Sequence, residues 1–192
     1  MIHVFNIKKG LFYGVLNLND FATCNNISGK RDLERKASMY LLEHLLHKPV
    51  NILYNPNGKP YLKDESVHIS ISHSYDKLAI IINENEKTGI DIERIRDKVK
   101  TIKTKFLSES ELIDADDDSE KLMIYWAAKE TLFKIHGVEG VEFIKHLFVK
   151  PFTKHNLGTL IGQINFSGIV EAYELNYQVF ENYVLVYPLE KI

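Results

Sequence analysis

Two acids separated by one residue, Asp91 and Glu93 in the stretch TGIDIERI (88–95), are the first groups in this sequence that invite chemistry. In an extended chain alternate side chains point to one face, so the two carboxylates share one face and Ile90 and Ile92 the other. Like charges at that spacing repel unless solvent or a cation relieves them. A half-exposed strand with two solvated acids is one reading. A hard divalent ion is the other, and Mg²⁺ often takes a few carboxylates together with substrate phosphate. Asp-x-Glu alone does not decide between them. A second group stands in YWAAKETLFK (125–134). On a helix Trp126, Glu130 and Lys134 lie four apart on one face. Glu130 and Lys134 are in the favourable order for a surface ion pair, worth less than about 1 kcal/mol. The tryptophan on the same stripe argues that the stripe is at least partly covered. There Glu130 offers a third oxygen to a metal, and Lys134 offers a point charge to a phosphate.

Three further segments carry donors suited to anionic oxygens. Lys30, Arg31 and Arg35 cluster where a helix should begin. Gly58-Lys59-Pro60 puts a cation in a tight turn, and Ser72-His73-Ser74 follows an expected strand. Helix solubility, an ordinary turn and a polar strand end would explain them equally. Ser72-His73 is no hydrolase signature, because no G-x-S-x-G elbow surrounds a serine.

The elements that must position these groups follow from periodicity. Met1 to Ile7 and Leu11 to Leu16 read as a hairpin around Lys8-Lys9-Gly10. Leu33, Ala37, Leu41 and Leu45 recur every four residues, which predicts a helix over 30–47 that Pro49 ends. Strands are expected at Val50 to Tyr54, Val67 to Ser72 and Leu78 to Asn83, the last buried on both faces. The polar NENEK (83–87) is the best internal boundary, giving subdomains 1–86 and 87–192. Beyond the carboxylate strand come a helical region through Leu112, an acidic turn over 114–119 and a long helix from Ser119 to His136 closed by Gly137. Thr159 to Phe166, Val170 to Tyr177 and Tyr183 to Leu189 read as strands. Each half mixes one long helix with several strands, so the fold class is α+β with two similar halves.

The 192 residues are 45% hydrophobic and 26% charged, an ordinary globular balance. A net charge of −2 gives no broad basic field for nucleic acid. The single Cys24 excludes an internal disulfide framework and a cysteine zinc cluster, and fits a reducing compartment. The start lacks a signal-peptide layout, and no apolar run approaches the roughly 20 residues of a membrane span. A cytoplasmic protein without membrane attachment is expected.

Taken in order, GKPYL, HISISHS, TGIDIERI, FLSESEL and YWAAKETLFK resemble the 4′-phosphopantetheinyl transferases of the larger, surfactin-synthetase-activating type. The resemblance runs from about Lys30 to Lys134, with weaker support through the strand-rich tail. It implies two similar α/β subdomains packed as an intramolecular pseudodimer, which has no need to pair, so a monomer is expected. It also implies the reaction. Coenzyme A donates phosphopantetheine to a serine of an apo acyl or peptidyl carrier protein, with Mg²⁺ as cofactor and Mn²⁺ as a substitute.

By position in the motifs, the resemblance makes Asp91, Glu93 and Glu130 the metal ligands, and Glu130 and Lys134 the catalytic pair. The serine proton would go to Glu130, directly or through a water, or else to Lys134. Coenzyme A would be held by Gly58, Lys59, Pro60, Ser72, His73 and Lys134. Arg31 and Arg35 would approach its 3′-phosphate, a role that Lys30 or Lys36 could take instead. In FLSESEL, Phe106, Ser108 and Glu111 match F-x-S-x-x-E, and Glu111 is either structural or helps to position the carrier. The stretch from Val99 to Met123, with Lys98, Lys100, Lys103 and Lys105, would meet the acidic carrier. The run from Asp114 to Asp118 is expected to face solvent. Two other readings stand beside this one: a non-catalytic homologue that binds coenzyme A or a carrier, and a metal-dependent phosphohydrolase of another fold.

Overall fold

The computed structural model describes residues 2–192; Met1, the first residue of the expected hairpin, lies outside them. The chain divides into two compact units, 1–92 and 93–192. The fold is α+β, and each unit pairs an antiparallel sheet with one long helix.

The first unit opens with the expected hairpin, β1 (Ile2–Lys8) and β2 (Leu11–Asn17). A short helix that periodicity did not reveal follows, α1 (Leu18–Asn25). Its signal was Asn17, whose side-chain oxygen accepts the backbone N–H groups of Asn19 and Asp20, as a helix N-cap does. Helix α2 (Lys30–Leu46) carries Ala37, Leu41, Leu42 and Leu45 into the core. There they meet Leu16, Ile69, Leu78, Ile80 and Ile82. Strands β3 (Ile52–Tyr54) and β4 (Pro60–Leu62) form a small hairpin. Its turn depends on Gly58 at φ 76°, a left-handed conformation that costs a glycine little. The four-stranded sheet is ordered β1-β2-β6-β5, with β5 (His68–Ser74) and β6 (Lys77–Asn83). Leu78 to Ile82 is fully buried, as its unbroken apolar run predicts.

Strand β5 runs two residues further than the sequence indicates. His73 and Ser74 lie within it rather than after it, because pairing with β6 continues to Ser74↔Lys77.

The chain passes from the first unit to the second within β7 (Asp91–Arg94), an edge of the five-stranded sheet β7-β11-β10-β9-β8. The helical region beyond it is broken into α3 (Val99–Ile102), a 3₁₀ turn over Lys103–Lys105 and α4 (Glu109–Ala115). Helix α5 (Ser119–His136) ends at Gly137 as expected. A short α6 (Phe143–His146) and β8 (Leu147–Val149) follow, neither of them expected from the sequence. Strands β9 (Leu157–Phe166), β10 (Ile169–Phe180) and β11 (Tyr183–Lys191) complete the sheet.

Helix α5 is buried on most of its circumference, from Leu122 through Ile135. Leu132 packs with Leu160, Leu175, Val184 and Val186 of the sheet. Gly162 of β9 allows that approach, since a Cβ there would stand 2.9 Å from Leu132 Cδ1. Leu132 is wholly buried and cannot swing aside. Gly162→Ala should therefore cost about 1 kcal/mol or more through overpacking, read as a lower urea midpoint with an unchanged slope.

Candidate active site

In the first unit the carboxylate of Asp91 is buried and oriented. The Ser72 hydroxyl donates to Asp91 Oδ1 at 2.7 Å and accepts the backbone N–H of Ile92 at 3.3 Å. Ser70 does the same for the N–H of Ile90 at 3.2 Å. Two inward-facing serines of β5 thus fasten the backbone on either side of Asp91. Ser72, expected to bind phosphate, is itself buried, with its hydroxyl committed to Asp91.

The other anion-binding candidates of this unit have acidic neighbours. His73 Nδ1 lies 3.4 Å from Glu34 Oε1 on α2, and Lys30 Nζ approaches the same oxygen at 3.8 Å. The basic helix start and the Ser-His segment are therefore brought together through Glu34. Arg35 and Lys36 pair with Asp32 at 3.0 and 2.8 Å. Arg31 is exposed and makes no ion pair among the described residues. Lys59 sits in the β3–β4 turn, where Asn55 Oδ1 accepts its backbone N–H at 2.8 Å. Partial burial, and then the charge of Lys87, pull the Lys59 ammonium down to a pKa of about 8. An anion beside it would oppose both effects by favouring the charged form.

In the second unit Glu93 is half-buried, and its Oε1 accepts the indole N–H of Trp126 at 3.2 Å. That bond brings Glu93 to the head of the α5 stripe. Trp126, Glu130 and Lys134 are all half-buried on it, in agreement with a covered rather than a free helix face.

One residue before Glu130, Lys129 is 0% exposed. Its ammonium donates to Glu111 Oε2 and to the carbonyl of Phe106, both at 2.7 Å, and to the carbonyl of Phe143 at 3.4 Å. Burial pulls the Lys129 pKa down, while Glu111 pulls it back up. Glu111 is equally enclosed. Its Oε2 also takes the backbone N–H and the hydroxyl of Ser108, both at 2.8 Å, and its Oε1 takes the N–H of Val149 at 2.9 Å. Glu111 is therefore structural, not a carrier contact. The signal for it was legible: Ser108-x-x-Glu111 is a capping box, a serine with an acid three residues on. The expectation that the run from Asp114 to Asp118 faces solvent holds only for its middle. Asp114 accepts from the Tyr125 hydroxyl at 2.6 Å and pairs with Lys121 at 2.9 Å, while Asp118 caps α5. Tyr125 lies on the buried side of α5, so its hydroxyl draws Asp114 inward.

The family model of the 4′-phosphopantetheinyl transferase superfamily matches residues 87–187, over half of the chain. The chain belongs to this superfamily. It is 30% identical to the 4′-phosphopantetheinyl transferase gsp of Aneurinibacillus migulanus over 94% of this chain and 77% of that protein. A match of that extent spans both units and places the chain with the larger, surfactin-synthetase-activating type. It is also 28% identical to the 4′-phosphopantetheinyl transferase AcpT of Escherichia coli O157:H7 and of strain K12, over 53% of this chain and 56% of theirs. Among the described residues, no helix is long and apolar enough to cross a membrane.

For Mg²⁺, the donor chemistry fits. Asp91, Glu93 and Glu130 offer hard carboxylate oxygens, the first two held in place by Ser72 and Trp126. Among the described residues no three His, Cys, Asp or Glu side chains are already gathered as a metal cage.

The buried pair generates a stability prediction. Lys129→Met strands the Glu111 charge and should cost about 3–5 kcal/mol. Lys129→Met combined with Glu111→Gln should cost clearly less than the sum of the two single changes, as a denaturant double-mutant cycle will show.

Proposed function

We propose that this transferase moves the 4′-phosphopantetheine arm of coenzyme A onto a serine hydroxyl of an apo acyl or peptidyl carrier protein. The products are holo carrier and adenosine 3′,5′-bisphosphate. The reading is carried by the alternate carboxylates of β7, each held by a side-chain donor from its own unit, in a chain of this superfamily. The serine oxygen forms a bond to the pantetheine-side phosphorus of the pyrophosphate. The bond from that phosphorus to the bridging oxygen breaks, and adenosine bisphosphate departs.

Each residue has a part in this reading. Asp91, Glu93 and Glu130 hold Mg²⁺, or Mn²⁺ in its place. A bound divalent ion supplies charge neutralisation on the pyrophosphate and polarises the phosphorus. Glu130 accepts the serine proton, and Lys134 meets the negative charge that grows on the leaving phosphate. The first unit takes the nucleotide: Gly58, Lys59 and Pro60 line its pocket, His73 contacts phosphate, and Arg31 and Arg35 approach the 3′-phosphate. Ser72 serves this chemistry through Asp91. The surface from Val99 to Met123 receives the carrier in the cytoplasm, and the enzyme acts as a monomer.

The direct test is incubation with coenzyme A, Mg²⁺ and a panel of apo carriers, read by mass spectrometry. A phosphopantetheine mass gain on the carrier serine is expected, and its absence from every carrier would overturn the reading. Asp91→Asn keeps an acceptor for Ser72 but removes the charge. It should lower kcat/KM by more than about 100-fold, beyond the usual cost of losing an outer metal partner, with little change in melting temperature. Lys134→Ala should depress kcat more than it weakens coenzyme A binding.

A pH prediction follows from Lys59. Its protonated form attracts the anion, and in the free protein it loses that proton around pH 8. Coenzyme A affinity should be level below that pH and fall by up to about tenfold per unit above it, until the higher pKa of the bound state is passed. Calorimetry across pH 7 to 10 should show this slope, and Lys59→Met should flatten it.

A further inference from the structure

The single tryptophan of the chain occupies an unusual position. Its indole N–H reaches Glu93 Oε1 at 3.2 Å. Its ring is stacked on Phe143, with centroids 5.5 Å apart, and makes a T-shaped contact with Phe106 at a centroid distance of 5.0 Å. The backbone carbonyls of those same two aromatics are the ones that Lys129 grips, and Lys129 is in turn fixed by Glu111. Trp126 and Lys129 are three residues apart on α5, so one helix turn supplies both the ring and the anchor of its clamp. A wholly buried ion pair thereby holds a ring, and the ring holds one oxygen of a carboxylate.

We infer that Trp126 is a positioning residue for the metal-binding carboxylate Glu93, its indole N–H fixing Oε1 within the clamp of Phe106, Phe143, Lys129 and Glu111. This rests on the metal role proposed above for Glu93. A carboxylate with one oxygen tied has fewer rotamers open to it, so less ordering remains to be done when an ion arrives. Outer partners of this kind commonly tune metal affinity by about 10–100-fold.

Trp126→Phe removes the N–H and keeps an aromatic ring in the clamp. Mn²⁺ binding, measured by calorimetry with coenzyme A present, should weaken by about 10–100-fold. Transfer to an apo carrier should need correspondingly more Mg²⁺, with kcat largely regained at saturation. A second measurement uses the unaltered protein. Its one indole N–H resonance should shift as Mg²⁺ is added with coenzyme A. The inference is overturned if Trp126→Phe binds Mn²⁺ as tightly as the unaltered protein, even with a lower melting temperature. It is equally overturned if the resonance stays put while calorimetry shows the metal bound. Should the unaltered protein bind no Mn²⁺ and modify no carrier, the proposed function itself falls. Normal metal binding and transfer in both proteins would remove only the positioning role.

Discussion

Lys129 carries an ammonium into the apolar interior of the second unit, and it stays there because Glu111 stands 2.7 Å away. An apolar pair of similar volume would hold a core together at least as well, since burying two charges costs nearly what their attraction returns. What the ion pair adds is direction. Glu111 binds the start of α4 and the backbone of β8, and Lys129 binds the carbonyls of Phe106 and Phe143. Two chain stretches, 106–111 and 143–149, are thereby fixed against α5, from which Trp126 and Glu130 both project. Every polar atom of the pair is engaged, so the arrangement tolerates few alternatives.

The first unit uses a different device. Its acid, Asp91, is fastened by hydroxyls rather than by a charge, through Ser70 and Ser72 on β5. Serine suits this position because it is small enough to stay buried between strands and can donate and accept at once. The cations of the same unit are held more loosely. On the exposed side of α2, Asp32 occupies Arg35 and Lys36, while Glu34 meets Lys30 and, from β5, His73. Exposed pairs of this kind are weak, because water screens both charges.

Most of the elements were legible because their patterns are local. The four-residue apolar repeat of α2, the solid apolar run of β6 and the glycine that ends α5 each follow from backbone geometry within a few residues. The elements that escaped were short. Helix α1 depends on a cap at Asn17, and α6 and β8 take their form from packing against the rest of the unit. Glu111 was recognisable as part of a motif, but its partner is 18 residues away in sequence and lies on another helix.

The sequence by itself determined the α+β class, the shared strand of Asp91 and Glu93, and the stripe of Trp126, Glu130 and Lys134. Alternation in strands and the helical repeat require nothing beyond neighbouring residues. Only the tertiary structure decided that Ser72 serves Asp91, that Trp126 grips Glu93, and that Lys129 is buried against Glu111 rather than solvated beside Glu130. Those contacts join residues 18 to 33 positions apart. Which donor meets which acceptor at such range depends on how strands and helices pack, and no local periodicity encodes it.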